Sequence, residues 1–210
     1  MKVKISPSRL CGEISAPPSK SYAHRLMICA ALAEGESTIR GISESEDMLA
    51  TLDCIAALGA RYEKLGDTVK ICGKTGKTPE GAVLRCRESG STLRFMIPPA
   101  LTGGRVRFEG TPRLLERGVG IYEQLLGDKG IEIKKDSGGI EFFGALTAGE
   151  YVLRGDVSSQ FVSGLLLALP LLAGDSTVCV LPPVESRPYI DITRDVMASF
   201  GVYVEEEREN

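Results

Sequence analysis

Four cations, Lys20, Arg25, Arg94 and Arg117, stand in or near short runs of small hydroxyl and glycine residues. The runs are Ser19-Lys20-Ser21, Ser89-Gly90-Ser91-Thr92 and Ser158-Ser159-Gln160. Residues of this kind open helices. A helix start leaves N–H groups unpaired and carries a partial positive charge, so it holds phosphate or carboxylate well. Ser and Thr also serve there as plain N-caps, and any one run by itself reads as that. Three such starts, with fixed positive charge beside two of them, describe a site for a small molecule or pair of molecules with several negative groups.

What must position these runs is an internal repeat. Gly59, Gly130 and Gly201 lie 71 residues apart, each after an apolar helical stretch and before an alternating segment. Each fits a helix C′ position, where a left-handed backbone ends the helix. Read backwards, the units share the order βαβαββ. The first runs through a strand at 13–16, a helix at 19–33, a strand at 37–42, a helix at 46–58 and strands at 61–64 and 68–72. The second has a strand at 83–86, helices from Ser89 and Leu114 around a strand at 105–108, and strands at 131–135 and 140–143. The third has a strand at 151–153, helices from Ser158 and Ser186, and one closing strand at 202–207. Leu49, Leu52, Ile55, Ala56 and Leu58 keep helical spacing, and Val106 and Phe108 alternate with Arg105 and Arg107. The expected fold is α/β of the α+β type. It has three βαβαββ repeats with pseudo-three-fold symmetry and buried parallel helices, the third repeat truncated. Residues 1–12 form a separate N-terminal strand, and 13–210 a substrate-binding domain.

Composition narrows the function. Apolar residues make up 43% and charged residues 25%, as in ordinary globular chains. The most apolar stretch, 161–173, is too short for a membrane span and is broken by Ser163, Gly164 and Pro170. Net charge is −3, with no basic stripe and no Trp, so no nucleic-acid partner is expected. None of the six cysteines forms a C-x-x-C pair, so no metal site is expected, and the thiols read as reduced core residues of a cytoplasmic protein.

Pro17-x-Ser19-Lys20-Ser21-x-x-x-Arg25 resembles the opening signature of EPSP synthases, 5-enolpyruvylshikimate-3-phosphate synthases. Four further segments resemble the family in order: Ser89-Gly90-Ser91-Thr92-Leu93-Arg94, Pro112-Arg113-Leu114-Leu115-Glu116-Arg117, Ser158-Ser159-Gln160-Phe161 and the stretch from Ser186 to Thr193. The resemblance implies that Lys20, Ser21, Arg25, Ser158, Ser159, Gln160, Ser186 and Tyr189 bind shikimate 3-phosphate. It implies that Lys20, Gly90, Ser91, Arg94, Arg117 and Gln160 bind phosphoenolpyruvate, with Lys20 as the catalytic residue. The reaction implied is carboxyvinyl transfer, with no cofactor and no metal. Such enzymes have two facing domains, so the resemblance also implies a missing C-terminal domain to which residues 1–12 would cross. A monomer, inactive by itself, is expected. Two rivals remain at this point: an enolpyruvyl transferase acting on UDP-N-acetylglucosamine, and a non-catalytic anion-binding relative. The chain departs from the family at Glu88-Ser89-Gly90-Ser91, where Asn-Ala-Gly-Thr is frequent, at Gly118, usually Pro, and at His24, often Asn. Glu88 is expected to point away from the site or to pair with Arg85 or Arg87, and His24 to pack between helices.

Overall fold

In the computed structural model, which describes residues 2–73 and 78–207, helices and short strands alternate along the chain. The elements are α1 (Lys20–Leu32), β1 (Glu36–Ile39), α2 (Glu46–Ala57), β2 (Arg61–Leu65), β3 (Thr68–Cys72), β4 (Ala82–Arg85), α3 (Gly90–Ala100), β5 (Val106–Glu109), α4 (Pro112–Glu116), α5 (Gly120–Gly127), β6 (Glu132–Lys135), β7 (Gly139–Phe143), β8 (Glu150–Arg154), α6 (Ser159–Ala168), β9 (Thr177–Leu181) and α7 (Arg187–Ser199). The sheets have orders β1-β3-β2, β4-β5-β7-β6 and β8-β9. In the four-stranded sheet β4 runs parallel to β5, while β7 is antiparallel to both β5 and β6. The first sheet has the same antiparallel triplet without a β4 equivalent. The third has the parallel pair without the hairpin.

The helices α2, α5 and α7 end in one chemical pattern. Gly59, Gly130 and Gly201 have φ of +103°, +80° and +79°. The next residue's N–H then reaches back five residues: Ala60 to Ile55, Ile131 to Leu126, and Val202 to Met197, at 3.0–3.1 Å. This six-to-one bond is the Schellman closure, which satisfies a carbonyl the helix leaves open.

The core gathers between the sheets and helices. On β5 and β7, Val106, Phe108, Ile140 and Phe142 are buried, as a two-residue alternation requires. Phe108 and Phe142 meet edge to face at 5.8 Å. Every residue of α6 except Gln160 is buried, and α6 packs most extensively against α3.

Three expectations are corrected. No strand forms at 13–16; residues 2–19 are exposed, with Val3, Ile5, Leu10 and Ile14 uncovered. Alternation alone makes a strand only where a neighbouring edge supplies hydrogen bonds. Residues 202–207 likewise find no ladder among the described residues. Arg194 instead donates to the Val204 carbonyl, and both Arg187 and Arg194 pair with Glu206. The helix expected from Leu114 is two helices, broken at Arg117 and Gly118, whose φ is +65°. Strand β9 carried no expectation of its own.

Candidate functional site

Ser19, Ser89 and Ser158 cap α1, α3 and α6, each accepting a backbone N–H of the following turn. The capping reading of these hydroxyls is therefore correct. The adjoining residues face outward into a cavity of about 270 Å³, lined by Lys20, Ser21, His24, Arg25, Ser91, Phe95, Ser158, Ser159, Gln160, Ser186 and Tyr189. These come from α1, α3, α6 and the start of α7. Ser186 sits in the left-handed region at φ +55° without a capping bond. That conformation costs a non-glycine residue free energy and concentrates at functional sites.

Arg25 is 1% exposed and has no carboxylate partner among the described residues. Its guanidinium donates to Thr193 Oγ1, the Ser21 carbonyl, Ser163 Oγ and the Tyr189 carbonyl, and lies 4.5 Å from the centre of the Phe95 ring. Burial lowers its pKa to about 10, so the group remains charged at neutral pH. Lys20, more exposed, contacts the Asp47 carboxylate at the start of α2. Burial pushes the Asp47 pKa up, but the contact with Lys20 and the Ser89 hydroxyl outweigh it, and the net shift is downward.

A second basic group lies beside this cavity. Arg94 donates to Gln160 Oε1 at 2.8 Å, and Gln160 Nε2 donates to Ser91 Oγ at 2.9 Å. Its pKa is lowered by burial and by the neighbouring positive charge of Arg117. A Cβ on Gly90 would stand 3.3 Å from Arg117 Nη1, so the glycine lets this guanidinium lie against the helix start. Gly90, Arg94 and Arg117 are thus together but outside the lining of the cavity, linked to it through Gln160 and Ser91. Pro98 gives α3 no N–H for the Arg94 carbonyl, and the Tyr122 hydroxyl, 2.9 Å from both that carbonyl and the Phe161 carbonyl, shares its proton between them. That bond fixes the turn of α3 that carries Arg94.

Sequence reasoning missed Asp47, Phe95, Ser163 and Thr193. Ser45, three residues before Met48, does signal the start of α2 and hence an acidic first turn, but nothing in the chain says which cation that turn faces. Glu88 pairs with Arg113 rather than with Arg85 or Arg87, because those two are taken by Glu109 and by Glu46 and Asp53. Of the cysteines, Cys29, Cys54 and Cys86 are buried as expected, while Cys11 is exposed. Among the described residues no cluster of His, Cys, Asp and Glu could hold a metal, and no helix is long and apolar enough to cross a membrane.

His24 is also buried, packing edge to face against Phe95 at 6.1 Å, and burial lowers its pKa from 6.5 to about 4. Among its charged neighbours, Asp47 opposes this shift, and Lys20 and Arg25 add to it. Between those pH values the unfolded chain binds a proton that the folded chain does not. Stability held in full above pH 6.5 should therefore fall as pH drops toward 4, by about 3 kcal/mol in all. Urea unfolding of the parent and a His24→Gln chain across this window should show the steeper pH dependence in the parent. Identical slopes would mean that His24 titrates normally.

The family model for EPSP synthase (3-phosphoshikimate 1-carboxyvinyltransferase) matches residues 5–210. A 3-phosphoshikimate 1-carboxyvinyltransferase of Clostridium kluyveri is 43% identical over 206 residues, covering 97% of this chain and 48% of that protein. One of Clostridium botulinum is 43% identical, covering 96% and 48%. An EPSP synthase structure from Acinetobacter baumannii superimposes with a TM-score of 0.74 at 26% identity, covering 93% of this chain and 45% of that one. The chain spans about half the length of the curated relatives it matches.

Proposed function

The chain belongs to the EPSP synthase family, and on that premise we propose that it is the half that binds shikimate 3-phosphate and receives phosphoenolpyruvate for carboxyvinyl transfer. The observation that carries this reading is the cavity. Lys20, Ser21, Arg25, Ser158, Ser159, Gln160, Ser186 and Tyr189, spread over most of the chain, line one space together. The three sheets fit a pseudo-three-fold arrangement of repeats, with α1, α3 and α6 starting around that space.

The buried Arg25 charge, without a carboxylate, suits an anionic ligand, since an uncompensated buried charge gains most from a counter-ion. Ser158, Ser159 and Ser186 give hydroxyl donors for a phosphate without adding charge. Lys20, shared with Asp47, reaches the same ligand. Arg94 and Arg117, held at the start of α3, suit a second anion, phosphoenolpyruvate, with Gln160 between the two subsites. The chain's contribution is binding and orientation. The further acid–base groups fall to a second domain, which would also cover the exposed apolar residues of 2–14. Shikimate 3-phosphate and phosphoenolpyruvate are accordingly the proposed partners, the protein acting as a monomer in the cytoplasm.

Calorimetry should find shikimate 3-phosphate bound more tightly than shikimate. Arg117→Ala should leave that affinity unchanged, while weakening phosphoenolpyruvate binding by roughly ten- to a hundredfold, the range for a lost charge-assisted hydrogen bond. Equal affinity for shikimate and its phosphate would overturn the assignment of the cavity. An Arg117→Ala effect of equal size on both ligands would overturn its division into two subsites.

A further inference from the structure

Among the described residues, two other than glycine have positive φ: Ser186, which lines the cavity, and Arg87, at +52°, which does not. Arg87 is the second residue of the turn from Cys86 to Ser89, closed by the Ser89 N–H on the Cys86 carbonyl at 2.8 Å. Turns with a left-handed second residue are dominated by Gly, Asn and Asp. An arginine there carries a Cβ that crowds the backbone, so something must hold it in place.

The side chain supplies the hold. Its Nε and Nη2 donate to Asp53 Oδ2 at 3.1 and 2.8 Å, and its Nη1 donates to Glu46 Oε2 at 2.6 Å. Both carboxylates belong to α2. One exposed ion pair does little for stability, but a planar guanidinium shared between two carboxylates of one helix fixes a direction.

The turn lies between the groups assigned to the second anion. Downstream, Ser89 caps α3, and the Arg117 guanidinium lies against Gly90. Across the loop, the Arg87 carbonyl accepts the Thr111 N–H at 2.8 Å, and Thr111 caps α4, which ends at Arg117. A Cβ on Gly110 would stand 3.1 Å from that same carbonyl, so the two loops touch. One residue thus registers the start of α3 against the start of α4. Leaving the left-handed region would redirect its carbonyl and release Thr111.

We infer that Arg87 is a positioning residue for phosphoenolpyruvate: its ion pairs with α2 hold a strained turn that sets Gly90 and Arg94 against Arg117. The inference rests on the second subsite as proposed above. Arg87 adds no charge of its own to that subsite, because its guanidinium is spent on Asp53 and Glu46.

Arg87→Ala and Arg87→Gly separate conformation from charge. Both lose the same guanidinium and the same ion pairs, and they differ by one methyl group. Alanine keeps the left-handed penalty with nothing to hold it, so the turn relaxes and phosphoenolpyruvate must restore it on binding. Calorimetry should find its affinity lowered roughly five- to twentyfold, the factor that matches this penalty. Glycine adopts the same φ freely and should stay within about threefold of the parent. The glycine chain should also melt at the higher temperature of the two variants. Neither variant should change the affinity for shikimate 3-phosphate, whose cavity Arg87 does not line. Equal losses of phosphoenolpyruvate affinity in both variants would reduce Arg87 to its charge and overturn the inference. So would an alanine variant that binds phosphoenolpyruvate like the parent, or one that loses both ligands in step. A parent chain that binds shikimate 3-phosphate but no phosphoenolpyruvate would remove the second subsite itself, and this inference with it.

Discussion

Arg25→Ala is expected to lower the unfolding free energy by about 3–5 kcal/mol and to abolish measurable binding of shikimate 3-phosphate. The side chain joins four elements. It sits on α1, bonds to Ser163 of α6 and to Thr193 and Tyr189 of α7, and stacks over Phe95 of α3. Its removal empties a fully buried volume and withdraws a donor from the Tyr189 carbonyl. Ser163 and Thr193 still bond to each other at 2.7 Å, and Thr193 still donates to Tyr189, so part of the network remains. The lost charge is the larger matter for binding, because no other fully buried cation lines the cavity among the described residues. Arg25→Lys separates the two effects. It keeps a charge but not the planar fork, so it should recover some affinity and little of the stability. Urea unfolding and calorimetry on both variants measure this. An alanine variant as stable as the parent would show that Arg25 does not hold the helices together.

Gly164→Ala should cost about 3 kcal/mol, a large effect for one added methyl group. The new Cβ would stand 2.5 Å from the Arg94 carbonyl oxygen and closer still to Tyr122 Oη, with Pro98 Cδ at 3.2 Å. A carbonyl inside a packed helix cannot step aside, and the Tyr122 hydroxyl cannot leave without uncovering that same carbonyl. Helix α6 must therefore move away from α3. Gln160, one turn earlier on α6, should then lose its bonds to Arg94 and Ser91, so phosphoenolpyruvate affinity should fall along with stability. Gly127→Ala is the matched control. It adds the same methyl group to an exposed helical position with nothing within 4 Å, and should stabilise by up to about 1 kcal/mol. Thermal unfolding of the pair decides the matter, and equal melting temperatures would mean that α3 and α6 are not held at this distance.

Much of the fold was legible because local signals agree with it. A glycine past the ends of α2, α5 and α7, a hydroxyl at every first-helix start and clean alternation on β3 and β5 are chemical choices that neighbours in sequence enforce. The misreadings lie where the signal is not local. The segments at 13–16 and 202–207 have good strand patterns, but a strand is a property of two chains of backbone and not of one. The break in the helix from Leu114 turns on Gly118, which reads as a tolerable helix residue until its positive φ is seen.

The residue types alone determined that capping hydroxyls recur at three helix starts, and five motifs in order carried the resemblance to one family. They could do so because caps, closures and charges act within a few residues of their own position. Only the tertiary structure decided which of those groups share a space. It set Lys20 against Asp47, buried Arg25 among Ser163, Thr193 and Phe95, and placed Arg94 and Arg117 outside the cavity that Gln160 lines. The contacts of Lys20 with Asp47 and of Arg25 with Ser163, Thr193 and Phe95 join residues at least 27 positions apart, and the distances between such residues are set by how helices and sheets pack, which no short stretch of sequence specifies.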